Sequence, residues 1–134
     1  MRIVLDTNVL ISAALKEKSL PAMAVSLAAR RHTLLKSAVT ERELLEVMAR
    51  PQLASLIAPA FRDWLGATLA AAELVPITQR IVACRDPRDD KFLELAVNGQ
   101  SDLIVSGDAD LLALHPFRGI AIVTPAAFAQ GAAR

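Results

Sequence analysis

With 134 residues, the chain has room for one domain with a substantial core but not for two, and a single unit over 1–134 is expected. Its apolar content is 54%, much of it alanine, yet no uncharged apolar run approaches the length of a bilayer-spanning helix. A formal net charge of +1 argues neither for nor against a nucleic-acid partner, and the single cysteine, Cys84, excludes an internal disulfide and has no zinc-ligand companions.

Met1–Leu5 reads as a first strand, entered directly and without the basic and apolar regions of a secretory signal, so a cytoplasmic location is expected. Val9–Leu15 follows as a helix or turn, and Lys16–Leu20 is a polar break. Pro21, acceptable in a first turn, opens a helix to about Arg31, and His32–Lys36 is a short strand. Thr40–Arg50 has the apolar spacing of an amphipathic helix that Pro51 stops. Gln52–Glu73 is helical with a break near Pro59, and Leu74–Ile77 is a weak strand that Pro76 assigns to an edge. After a loop, Asp86-Pro87 starts a helix that Asn98-Gly99 stops. Asp102–Ser106 is a strand, Asp108–Leu114 a short helix and Ile120–Thr124 a last strand before a short alanine-rich tail, which puts the core at about residues 2–125. Strands alternating with helices predict a three-layer α/β/α domain around a mostly parallel sheet.

Four acidic residues sit where these elements end or begin: Asp6, Glu43, Asp89 and Asp108. Asp6 and Asp108 follow continuously apolar, β-branched runs, the pattern of buried parallel strands, and in an open α/β sheet the carboxyl ends of such strands open into the ligand crevice. Carboxylates converging there repel one another unless a cation neutralises them, and a hard divalent metal suits oxygen ligands.

Each position also has a plain structural explanation. Asp6 can close a turn, with Thr7 and Asn8 holding it. Thr40-Glu41-Arg42-Glu43 matches a capping box that would fold Glu43 back onto the cap, whereas a helix starting near Ser37 leaves Glu43 free to face the crevice. Asp86, Asp89 and Asp90 suit the positive end of a helix dipole, with Arg88 and Lys91 as their partners or as contacts for a phosphate backbone. Ser106-Gly107-Asp108 reads as a tight turn into an Asp-capped helix, with Ser106 offering a hydroxyl close to Asp108. Other chemistries fail sooner. His32 and His115 have no nucleophile in a recognisable setting, and the chain has neither a glycine-rich phosphate loop nor a dinucleotide fingerprint. Trp64 and four phenylalanines, with no tyrosine, give no stacking platform for bases.

Taken together and in order, these segments resemble the PIN-domain ribonucleases, specifically the VapC-like toxins of prokaryotic toxin–antitoxin systems. The matching pieces are Val4–Leu10, Glu43–Val47 before Arg50-Pro51, Asp86–Ala96 and Ile104–Leu112, spread over nearly the whole chain. The Asp-Pro-x-Asp-Asp variant resembles a subgroup classed with toxins. The resemblance implies that Asp6, Glu43, Asp89 and Asp108 form the catalytic and metal-binding quartet. It implies supporting roles for Asn8 and Ser106, with Asp90 the alternative to Asp89 as third acid. It further implies one or two Mg²⁺ or Mn²⁺ ions, an RNA substrate, a cognate antitoxin and a homodimer. The alanine- and leucine-rich stretches 21–31 and 60–73 offer surfaces for such partners.

Two other readings compete. A haloacid-dehalogenase-like phosphatase also begins with a strand ending in Asp, but it needs a second acid where Asn8 stands. A non-catalytic PIN-fold module binding RNA or a partner is opposed by the retention of all four acids.

Overall fold

The computed structural model describes residues 1–131. Its sheet contains β1 (Arg2–Leu5), β2 (Thr33–Lys36), β3 (Glu73–Leu74), β4 (Leu103–Val105) and β5 (Ala121–Val123). They are ordered β3-β2-β1-β4-β5, and every neighbouring pair is parallel. The fold is thus a three-layer α/β/α arrangement around a fully parallel five-stranded sheet. β1 is central, and its Ile3, Val4 and Leu5 pair with Leu103, Ile104 and Val105 of β4. From β1 the chain winds outward through β2 and β3, then returns to place β4 and β5 on the other side. The winding direction reverses between β1 and β4, the point at which such sheets open a crevice.

Helices cover both faces. They are α1 (Thr7–Leu15), α2 (Leu20–Arg31), α3 (Ala38–Met48), α4 (Pro51–Ala54), α5 (Pro59–Ala71), α6 (Asp90–Asn98), α7 (Ala109–Leu112) and α8 (Pro125–Ala129). Successive strand side chains point to opposite faces, so β1 and β4 feed two cores. Ile3, Leu5, Leu103 and Val105 pack with residues of α1, α2, α3, α5 and α8. Val4 and Ile104 pack with Ile122 and with Phe92, Leu93 and Leu95 of α6. This double burial is why these strands carry continuous apolar runs rather than alternating ones.

Element ends differ from expectation in ways the local chemistry explains. α1 begins at Thr7 because Asp6 is its cap, and α3 begins at Ala38 because Ser37 is its cap. Pro51 lies in the first turn of α4, two residues beyond the Ala49 C-cap of α3. β3 is shorter and earlier than Leu74–Ile77; Val75 still donates to the Lys36 carbonyl at 2.8 Å, and Pro76, lacking an N–H, cannot extend the edge ladder. Within the alanine-rich tail, Pro125–Ala129 forms α8, capped by Thr124 and anchored by Phe128, which is fully buried. Among the described residues no helix is long and apolar enough to cross a membrane.

Candidate metal and active site

The crevice floor is built from the carboxyl ends of β1 and β4. Asp6 is almost completely buried, and its Oδ1 accepts the Asn8 backbone N–H at 3.1 Å. The Ser106 hydroxyl, fully buried, donates to Asp6 Oδ2 at 2.7 Å and accepts the Asp108 N–H at 3.0 Å. One hydroxyl therefore ties together the ends of the two central strands. Asp108 caps α7 by accepting the Leu111 N–H at Oδ2, 3.0 Å away. Asn8 touches Asp6 through its backbone N–H, and the residue is itself exposed.

Glu43 arrives from α3. Ser37 and Thr40 form the reciprocal cap of this helix, with Thr40 N–H donating to Ser37 Oγ at 3.2 Å and Ser37 N–H donating to Thr40 Oγ1 at 3.0 Å. The alternative box ending at Glu43 does not form, and Glu43 turns toward the crevice. Its Oε1 accepts the Thr7 hydroxyl at 2.6 Å, and its Oε2 pairs with Lys91 Nζ at 2.6 Å.

Asp89 and Asp90 separate by environment. Asp90 is buried, and its Oδ1 accepts the backbone N–H groups of Ala83 at 3.2 Å and Cys84 at 2.7 Å, fastening the preceding loop to α6. Asp89 ends the 3₁₀ turn Pro87–Asp89, itself capped by Asp86, and its side chain makes no capping bond to α6. Its carboxylate lies beside that of Asp108, and ligand atoms of Cys84, Asp89 and Asp108 all fall within 4.8 Å of one another. Asp110 is half-buried and lies outside this group. Cys84 is held beside the cluster by its backbone bond to Asp90. The loop offers no ligand spacing from which this proximity could be read.

The electrostatics are those of crowded, partly buried acids. Burial, and then the neighbouring Asp108, Asp6 and Asp86, push the Asp89 carboxyl up to about 6. Burial also raises Asp6, although the Ser106 and Asn8 hydrogen bonds oppose it. Burial raises the Cys84 thiol, which keeps it a neutral neighbour of the carboxylates. Closely spaced carboxylates that resist ionisation form a donor set suited to a hard divalent cation, whose charge offsets the repulsion. Beside them a hollow of about 340 Å³ opens between Asn8, Ser12, Pro21, Gly107 and Asp108.

The comparisons with known proteins agree with this fold. The structure described as VapBC2 from Rickettsia felis bound to a DNA fragment from their promoter contains a chain that superposes with a TM-score of 0.61. That match covers 92% of this chain and 98% of the other at 13% sequence identity, so it speaks to the fold. No curated protein matches the sequence. The sequence profile of the PIN domain matches residues 2–110, a span that includes β1, the Asp86–Asp90 turn and the Ser106–Asp108 strand end. This chain therefore belongs to the PIN domain family.

Proposed function

We propose that this protein is a metal-dependent endoribonuclease, the toxin of a two-component toxin–antitoxin system, with Asp6, Glu43, Asp89 and Asp108 as its acidic site. The observation that carries this reading is the meeting of carboxylates from separate chain segments at the switch point of a PIN-family sheet, with Asp89 and Asp108 adjacent and Asp89 held near 6. Mg²⁺ or Mn²⁺ would suit these oxygen donors, with Asp89 and Asp108, and Asp6 beside them in the crevice, as the residues that would hold it. When bound, such an ion supplies an activated water and neutralises charge at the scissile phosphate.

The protein's own part is to hold the acids still. Ser106 and the Asn8 N–H fix both oxygens of Asp6, so its carboxylate need not reorient during turnover. The Leu111 N–H and the Ser106 hydroxyl set the direction in which Asp108 leaves β4. The Asp90 clasp holds the loop before Asp89, keeping that carboxylate within reach of Asp108. The hollow beside Asp108 gives an RNA backbone a route to that carboxylate.

A cognate antitoxin and a homodimer belong to the same reading, supported by exposed apolar side chains on α2 and α5 such as Met23 and Trp64. The test is incubation of labelled single-stranded RNA with purified protein in Mg²⁺, in Mn²⁺ and in EDTA. Cleavage is expected with either metal and not with the chelator; cleavage undiminished by EDTA would remove the metal from the mechanism.

A further inference from the structure

Among the four acids Glu43 is held differently. Its two oxygens are both engaged, one by the Thr7 hydroxyl and the other by Lys91. The Lys91 side chain is only 14% exposed, and its ammonium also donates to the Arg88 carbonyl and lies 5.3 Å from the centre of the Phe92 ring. An ammonium so enclosed has few water partners left and is committed to its protein ones. Asp89 and Asp108 present ligand atoms within 4.8 Å of each other and of Cys84, a group that does not include Glu43. The crevice thus has two regions: one where Asp89 and Asp108 have no ion-pair partner, although the Lys91 charge is near enough to be felt by Asp89, and one where that ammonium sits directly on the Glu43 carboxylate.

We propose that Lys91 occupies the place of a second metal cation, so that this chain binds one divalent ion, at Asp89 and Asp108, and Glu43 serves as the partner of Lys91 rather than as a ligand. This rests on the metal-dependent reading given above. Lys91 is then a positioning residue: it keeps Glu43 neutralised and the charge of the crevice matched to a single ion. Removing the ammonium should free a carboxylate that Thr7 still orients, opening a second cation site. Arginine, which keeps the charge, should leave it closed.

The measurement is the stoichiometry of Mn²⁺ binding to the metal-free full chain by calorimetry, which reports on this arrangement without any turnover. Wild type should bind one Mn²⁺ per chain, Lys91→Met two, the second more weakly, and Lys91→Arg one. Glu43→Gln should still bind one ion, weakened by less than about tenfold, because it removes no ligand and only leaves the Lys91 charge less well neutralised. Circular dichroism identifies variants that fail to fold, and Glu43→Gln decides the matter if Lys91→Met is among them. Two ions on wild type, one ion on folded Lys91→Met, or a loss of about tenfold or more in Glu43→Gln, the cost typical of disturbing a metal's supporting shell, would overturn the proposal. No uptake by wild type would overturn the metal-dependent reading itself and this inference with it, whereas two ions on wild type would leave that reading standing.

Discussion

The two ends of the parallel sheet carry charged residues in opposite ways. At the amino end, Arg2 forms a two-point bridge to Glu73, with distances of 2.9 and 2.6 Å, and also donates to the Gly99 carbonyl at 2.9 Å. The Arg2 backbone N–H reaches Asp102 Oδ2 at 2.7 Å. Here acids and donors are matched, and the result is to tie β1, β3, the end of α6 and the start of β4 together. Glu73 is held below the usual carboxylate range by its bond to Arg2. At the carboxyl end, Asp6 and Asp89 are instead pushed up, first by burial and then by nearby carboxylates, Asp108 and Glu43 acting on Asp6 and Asp108 and Asp6 acting on Asp89. A folding chain gains nothing from crowding unpaired carboxylates, so the imbalance marks the end of the sheet where a cation and a substrate are expected.

This contrast can be broken by substitution. The largest effect is expected from Asp6→Asn or Asp108→Asn, which should lower metal-dependent RNA cleavage by about 100-fold or more while the fold persists. Removing a repelling charge should leave melting in metal-free buffer unchanged or higher, measured beside the cleavage assay. Ser106→Ala comes next. It leaves a buried Asp6 oxygen and the Asp108 N–H without their shared partner, at a cost of about 1–3 kcal/mol in denaturant unfolding, and it should weaken cleavage because Asp6 is no longer fixed.

The pH dependence sharpens the comparison further. Asp89 is pushed up to about 6 from an ordinary value of 3.8, so between these pH values the folded protein holds a proton that the unfolded chain has released. Metal-free stability should therefore fall as pH rises through this window and level off above about 6, by about 1 kcal/mol once screening at a half-exposed group is allowed for. Asp89→Asn should flatten that slope, leaving only the part that the raised Asp6 carboxyl contributes, which thermal melts across the window would show. Over the same range Mn²⁺ binding should tighten with pH, since ion and proton compete for one carboxylate. The smallest effect is expected at the other end of the sheet. Arg2→Ala breaks an exposed pair, so melting should drop slightly and cleavage should not change.

Much of this was legible in the sequence because the two central strands are buried on both faces. Ile3-Val4-Leu5 and Leu103-Ile104-Val105 have no polar face, and each is followed within three residues by an acid. What was not legible depends on distant partners. Ser37 and Thr40 can each start a helix, and only the exit of the chain from β2 makes Ser37 the cap and leaves Glu43 free. Asp89 and Asp90 are chemically identical neighbours, distinguished because two loop amides, at Ala83 and Cys84, find their acceptor in Asp90. For Lys91 the sequence allows a partner among the nearby aspartates or a phosphate contact, and only the packing of α6 against α3 pairs it with Glu43 instead. In the tail, Thr124-Pro125 carries a helix-start signal that the alanine-rich composition obscured, and the burial of Phe128 depends on where α2 lies.

The most direct test of the central claim is the location of Mn²⁺ by anomalous scattering in crystals grown or soaked with the ion. A peak between the carboxylates of Asp89 and Asp108, at the carboxyl end of the sheet, is the predicted result. A well-occupied peak elsewhere, with that position empty, would contradict the account.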